Sequence, residues 1–66
     1  MVTFELREMV KSTVSNRIEV IKTFDEPYER LAKKAYEDKS ATYPATYFEL
    51  VRVERNERLI SFTPYR

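Results

Sequence analysis

The chain has no Cys, His, Trp or Gly among its 66 residues, and these absences exclude much of protein chemistry. Without His or Cys, it has no side chain that ordinarily titrates near neutral pH, no thiolate nucleophile and no good ligand for zinc, copper or iron. Without Gly, it lacks the phosphate-cradling loops that bind nucleotides. We therefore expect a protein that is not an enzyme and that has no catalytic residue, no cofactor and no metal site.

Long apolar runs are also missing. No stretch approaches the ~20 apolar residues that a helix needs to span a bilayer, and the N-terminal sequence MVTFELRE lacks the basic and then apolar layout of a signal peptide. We expect a cytoplasmic protein without membrane contact. The length predicts a single domain over residues 1–66, close to the lower limit at which a core folds without a disulfide or a metal.

Charge of one sign is not in excess, although charged residues are abundant. Twelve Lys and Arg residues face eleven Asp and Glu residues, which gives a net charge of +1. The two signs are mixed along the whole chain, so there is no basic tail or stripe to attract phosphates of any sequence. This balance favours a protein partner over a nucleic acid.

Two runs near the N-terminus alternate apolar and polar residues, with the apolar positions at Phe4, Leu6 and Val10 and then at Ile18, Val20 and Phe24. Such alternation predicts two half-buried strands. If Leu6 lies opposite Phe24 and Val10 opposite Val20, the strands form a hairpin with a loop of odd length. We expect Asn16 to take the left-handed conformation in that loop.

In the middle of the chain the apolar period changes from two to about three and a half, at Tyr28, Leu31, Ala32, Ala35 and Tyr36. This spacing predicts one amphipathic helix with a compact apolar stripe. Asp25 is placed to cap its N-terminus, with Pro27 in the first turn. We expect the helix to end near Asp38 or Lys39.

The last third predicts a second hairpin, with strands over residues 47–54 and 58–63 and a turn at Asn56-Glu57. Counting outward from the turn places Val53 opposite Ile60 and Val51 opposite Phe62. These four residues share one face, and we expect them to pack against the helix. The predicted fold is α+β, in the order ββαββ, with an antiparallel-rich sheet and one helix packed on one face.

The same counting places three apolar residues, Phe48, Leu50 and Leu59, on the face that the helix would leave uncovered. Exposed apolar groups with polar neighbours often mark interaction sites. Two other interpretations stay open: these side chains wrap around an edge of the sheet, or a one-residue bulge reverses the register.

A resemblance covers roughly residues 18–55 and rests on a Thr-hydrophobic-Asp-Glu helix start and a Pro-Ala…Phe-Glu…Arg-Val strand. The matching residues are Thr23, Asp25, Glu26, Pro44, Ala45, Phe48, Glu49, Arg52 and Val53. This run resembles small, mostly uncharacterised bacteriophage proteins, and it is similar to the small RNA polymerase inhibitors of lytic phages. The inhibitors carry a second Arg two positions after the first, where this chain has Glu54, with Arg55 following.

The resemblance implies a phage-encoded protein that acts in the cytoplasm of a bacterial host, where it binds a host protein or complex such as RNA polymerase and inhibits it. Arg52, with Arg55 or Arg58, would provide the polar anchors, because the planar guanidinium pairs well with carboxylates.

We therefore predict a small interaction protein that binds its partner through the sheet, using Phe48, Leu50, Arg52, Arg55, Arg58 and Leu59. Two alternatives remain. One is a single-stranded nucleic-acid-binding module that uses the Tyr, Phe and Arg residues of the C-terminal hairpin. The other is a homo-oligomer, such as a homodimer, in which the second face of the sheet is buried against another copy.

Overall fold

A computed structural model describes residues 1–56 and 60–64, and the order of its elements confirms the predicted ββαββ fold. An antiparallel sheet of four strands carries a helix on one face. The elements are β1 (Val2–Lys11), β2 (Asn16–Asp25), a short 3-10 turn (Glu26–Tyr28), α1 (Glu29–Thr42), β3 (Phe48–Arg55) and β4 (Ile60–Pro64).

The strand order in the sheet is β2-β1-β3-β4, and every neighbouring pair is antiparallel. Since β2 and β3 both pair with β1, they run in the same direction with β1 between them. Two strands that run in the same direction need a crossover connection rather than a tight turn. The helix α1 provides that crossover, and it contacts β1, β2 and β3 on one face of the sheet.

The N-terminal hairpin forms as predicted, but its register differs. Phe24 pairs with Phe4 and not with Leu6, and Val10 pairs with Arg17. A bulge at Ile21 of β2, opposite Leu6 and Arg7 of β1, and the loop between the strands account for the difference.

That loop has four residues, Ser12–Ser15, and not an odd number. The Ser12 hydroxyl donates to the Ser15 carbonyl at 2.6 Å and accepts from the Ser15 amide at 3.0 Å. These side-chain bonds close the turn without a left-handed residue. Accordingly, Asn16 begins β2, and no described residue has a positive φ.

The hydrophobic core lies between α1 and the sheet. Its buried members are Phe4, Leu6, Phe24, Ala32 and Leu50. Ala32 is completely buried, and its small side chain lets the helix approach the sheet closely. Val2, Ala35 and Tyr36 pack at the margin of this core.

The helix covers the face of the sheet opposite to the one predicted. Phe48 and Leu50 are only 6% and 2% exposed, so the expectation that they face solvent is wrong. Leu50 pairs with Leu6 of β1, and residues directly opposite each other in a sheet share a face. The large apolar side chains of β1 therefore place Leu50 under the helix.

The C-terminal hairpin keeps the predicted grouping of side chains but shifts its pairing by two residues. Val53 pairs with Phe62, and Arg55 pairs with Ile60. A shift of two preserves the face of every side chain, so Val51 and Val53 do share a face with Ile60 and Phe62. That face points away from α1.

The helix differs from its prediction at both ends. Asp25 precedes the 3-10 turn in the capping position, but within the described chain its side chain makes no capping hydrogen bond. At the other end, α1 continues to Thr42, whose hydroxyl donates to the Asp38 carbonyl at 2.7 Å. Of the predicted apolar stripe, Tyr28 and Leu31 are exposed. Tyr28 lies in the 3-10 turn, which has three residues per turn. Its side chain therefore does not line up with the stripe of the following α-helix.

Candidate interaction surface on the open face of the sheet

The face of the sheet that no described element covers is called here the open face. Strand alternation and register place its side chains in rows across the strands. From β2 to β4 the rows are Asp25-Thr3-Val53-Phe62, Thr23-Glu5-Val51-Pro64, Val20-Arg7-Glu49 and Ile18-Met9, with Arg55 beside Ile60 at one end.

Four charged residues, Glu5, Arg7, Glu49 and Arg55, form a connected group on the open face, called here the charged cluster. The Arg7 guanidinium donates to Glu5 Oε1 from Nη2 at 2.6 Å and from Nε at 3.1 Å. Arg55 lies 3.7 Å from the second Glu5 oxygen, and Arg7 lies 3.7 Å from Glu49. Two acids and two bases are thus joined, and the buried Glu5 carboxylate lies near two guanidinium groups.

The two valines of β3 on the open face are buried although no described helix lies over them, with Val51 4% and Val53 0% exposed. Their cover comes from side chains of the neighbouring strands. Arg7 of β1 reaches across β3 to Phe62 of β4, and its Cζ lies 5.1 Å from the centre of the ring. This cation–π contact spans β3, the strand that carries the two valines.

Exposed apolar side chains occupy two opposite corners of the open face. Ile60 and Phe62, 59% and 53% exposed, form the β4 corner, and Ile18 and Val20, 41% and 49% exposed, form the β2 corner. The corners lie on the two outermost strands and towards opposite ends of the sheet, with the charged cluster between them. Exposed apolar patches with polar neighbours, such as each of these two corners, often mark protein-binding sites.

The open face gathers one of the predicted partner-binding residues, Arg55, which belongs to the charged cluster. Phe48 and Leu50 lie under α1 and are not available to a partner on the native surface. Arg52 is on the helix-covered side, where it pairs with Glu54 at 3.0 Å. Arg58 and Leu59 lie outside the described residues.

Sequence reasoning did not assign a binding role to the exposed residues of the two corners or to Arg7. The alternation in the C-terminal hairpin correctly grouped Ile60 and Phe62 on one face, but that face was interpreted as core. The signal available for the β2 corner was the alternation of Ile18 and Val20 in a strand that lies at the edge of the sheet.

Of the aromatic and basic residues proposed for nucleic-acid binding, Arg58 and residues 65–66 lie outside the described residues, and the described ones do not all share one face of the sheet. Phe48 is buried, and Tyr43 lies beside it with the ring centres 6.4 Å apart. Tyr47 hydrogen-bonds to Glu49 at 3.4 Å. The centre of the open face carries the carboxylates of Glu5 and Glu49 beside Arg7 and Arg55, so it has no excess of basic groups to attract a phosphate backbone.

Two further features of the described residues bear on other classes of function. No group of three or more Asp or Glu residues in the described part of the chain is placed to hold a metal ion. Among residues 1–56 and 60–64, no helix is long and apolar enough to cross a membrane.

The fold and the surface together define a small α+β domain with one sheet face under a helix and one face open. No family model, curated protein or solved structure matches this chain. The function of the chain is therefore inferred from the chemistry of the open face.

Proposed function

We propose that this chain is a small non-catalytic interaction protein that binds another protein through the open face and thereby modulates that protein's activity. The observation that carries the proposal is the pair of exposed apolar corners on either side of the charged cluster. Nearly all of this surface lies on regular strands, so its side chains are held in place before binding. A surface organised in advance loses less conformational entropy when a partner docks.

The chemistry of the open face favours a protein as the partner. Phe62 and Arg7 lie in contact, and aromatic and Arg residues are the types most enriched among side chains that dominate protein-binding energy. The charged cluster contains equal numbers of each sign, so it offers no net attraction to phosphates.

The resemblance to lytic-phage proteins supports a more specific form of the proposal. In that form the chain is phage-encoded, acts in the cytoplasm of a bacterial host, and inhibits a host protein or complex, of which RNA polymerase is the first candidate. Arg55 and Arg7 would be its polar anchors on the open face. Arg55 is one of the anchors that the resemblance implies, whereas Arg7 comes from the geometry.

The proposal is tested by capturing partners from nuclease-treated bacterial lysate with three tagged proteins: the wild type, Phe62→Ser and Leu31→Ser. Leu31 is the matched control, because it is 55% exposed but lies on α1, on the other side of the sheet. We expect the wild type and the Leu31 variant to retain one stoichiometric host complex that the Phe62 variant loses. Equal capture by all three proteins, or capture by none, would overturn the proposal.

Purified bacterial RNA polymerase tests the specific target. The wild type is expected to bind the enzyme and reduce run-off transcription, and Phe62→Ser is expected to do neither. Binding of the wild type to single-stranded nucleic acid alone, weakening steeply as salt rises, would instead indicate a nucleic-acid partner. If the polymerase does not bind the wild type, RNA polymerase is excluded as the target. The partner is then identified by mass spectrometry of the captured complex.

A further inference from the structure

We infer that a cleft between β2 and α1, called here the β2–α1 cleft, is a binding site for a small apolar carboxylate such as a medium-chain fatty acid. The cleft lies on the helix side of the sheet, so it is separate from the open face, and the inference does not depend on the proposed function. Three features carry it. They are a stripe of α1 that changes from apolar to polar, a bulge in β2, and a lysine on each wall.

The α1 wall of the cleft is formed by Ala35, Asp38, Lys39 and Thr42. These residues continue one helical stripe that begins at Ala32, which is completely buried against the sheet. The first part of the stripe therefore packs into the core, as in an ordinary amphipathic helix. Its second part presents short or charged side chains to the sheet, and the cleft lies where a core-facing helix would place large apolar ones.

The β2 wall is shaped by the bulge at Ile21. Val20 is level with Arg7 on the open face. Lys22 is level with Leu6 on the helix side, so Ile21 is the extra residue between the two pairs. Ile21 and Lys22 both line the cleft, although consecutive residues of a regular strand point to opposite faces. Bulges often redirect side chains in this way next to functional sites. Here the bulge places an aliphatic group and an ammonium group side by side on one wall.

The cleft has an apolar surface and the size of a small-molecule site. Leu6, Ile21 and Ala35 supply the apolar part of its lining. Its volume is about 530 Å³, within the range of ~300–1,000 Å³ that is usual for sites of this kind. An aliphatic chain that covers these three side chains would remove apolar surface from water.

The charges of the cleft favour an anion. Of the described residues that line it, Lys22 and Lys39 are positive and Asp38 is negative, so two positive charges and one negative charge leave +1. Each ammonium lies against an aromatic ring, with Lys22 Nζ 5.0 Å from the centre of the Phe24 ring and Lys39 Nζ 5.3 Å from that of Tyr43. No carboxylate in the described part of the chain forms an ion pair with either lysine. Both ammonium groups can therefore donate to a bound carboxylate.

The net charge also selects the type of anion. A carboxylate carries one negative charge and balances the lining, whereas a phosphate monoester carries nearly two near neutral pH. The two lysines contribute unequally, because Lys39 lies in the last turn of α1 and part of its charge offsets the negative end of the helix dipole. Lys22 is therefore the main partner of the carboxylate.

The first test compares three ligands with the same aliphatic chain and different charge: octanoate, octanol and octylammonium. Each is titrated into the purified chain, and binding is followed by amide NMR shifts. We expect octanoate to bind with a dissociation constant on the order of 1 mM and to shift amides on both walls of the cleft. Octanol should bind more weakly, and octylammonium most weakly. Equal affinities for the three ligands, or no saturable shift with octanoate below about 10 mM, would overturn the inference.

The second test uses three matched variants, Lys22→Gln, Lys39→Gln and Lys33→Gln. Lys33 is the control, because it is an exposed residue of α1 that does not line the cleft. We expect Lys22→Gln to weaken octanoate binding about 5-fold and Lys39→Gln about 2-fold, and Lys33→Gln to leave it unchanged. The affinity for octanol should be the same in all three. Equal losses of octanoate binding in the three variants would contradict the assignment of the carboxylate to the cleft.

Two other occupants of the cleft are distinguished by the same spectra. A peptide with blocked ends and a Leu beside an Asp presents an aliphatic group and a carboxylate on a protein chain. Tighter binding of that peptide than of octanoate would overturn the assignment to a small molecule. Shifts of the cleft amides that depend on protein concentration without any ligand would show that a second copy occupies the cleft, and would overturn it as well.

Discussion

The two faces of the sheet bury apolar side chains by different means. Under α1, Phe4, Leu6 and Leu50 are covered by a second layer of secondary structure, as in most two-layer domains. On the open face, Val51 and Val53 are buried without a described helix over them, and the contact between the Arg7 guanidinium and the Phe62 ring spans the strand that carries them. The comparison teaches that burial on the open face depends on side chains that a partner can also contact, whereas burial under the helix does not.

The largest expected effect is on the helix-covered face. Leu50→Ala removes most of a fully buried side chain and should lower the free energy of unfolding by about 2–5 kcal/mol. Because small domains have only ~5–15 kcal/mol in total, this loss is a large fraction of the stability of the chain. Urea denaturation followed by circular dichroism measures the change. Leu31→Ala, at an exposed position of α1, is the control and should change stability by less than ~0.5 kcal/mol.

The next-largest expected effect is a difference in stability between the loss of a mostly buried ion pair and the loss of an exposed one. Arg7–Glu5 and Arg17–Glu19 are both two residues apart on one strand, with N–O distances of 2.6 and 2.7 Å. Their side chains are 20% and 10% exposed in the first pair but 59% and 45% in the second. Glu5→Gln should cost about 1–3 kcal/mol, since it removes the buried negative charge that pairs with the guanidinium groups of Arg7 and Arg55. Glu19→Gln should cost less than ~1 kcal/mol.

Equal costs for Glu5→Gln and Glu19→Gln, measured by urea denaturation in the same buffer, would contradict the account of the open face. Equal costs would mean that water hydrates the charged cluster as fully as it hydrates an exposed ion pair. The cover over Val51 and Val53 would then need another explanation.

A smaller effect of opposite sign is expected at Thr3. Its hydroxyl is buried on the open face and has no hydrogen-bond partner within the described structure. Thr3→Val replaces that hydroxyl with a methyl group of similar size, so it should stabilise the chain by about 1 kcal/mol. Thermal denaturation measures the change. A destabilised variant would show that the hydroxyl has a partner, such as bound water, that the valine cannot replace.

The order and type of the elements could be predicted from the sequence because their apolar periods are distinct. Alternation marks both hairpins, and the stripe that includes Ala32, Ala35 and Tyr36 has a helical period. The registers could not be predicted in the same way. A bulge beside Leu6 and a turn closed by the Ser12 hydroxyl shift the first hairpin, and neither leaves a signal in the apolar pattern.

The face of the sheet that the helix covers could not be predicted from the local apolar pattern either. The strand β3 is apolar on both sides, with Phe48 and Leu50 on one and Val51 and Val53 on the other. Alternation says which residues share a face but not which face a helix covers. The pairing of Leu50 with Leu6 decides it, and that is a contact between residues far apart in sequence. Of the residues on the open face, Arg55 is therefore the one that the sequence analysis named as a partner-binding residue.

The central claim is that the partner protein binds the open face and not the helix side of the molecule. Side-by-side capture of host proteins by the wild type, Phe62→Ser and Leu31→Ser, with each bound complex quantified by mass spectrometry, tests it most directly. The account predicts that the Phe62 variant loses the complex while the Leu31 variant keeps it. Loss with Leu31→Ser and retention with Phe62→Ser would contradict the account and would place the binding surface on α1.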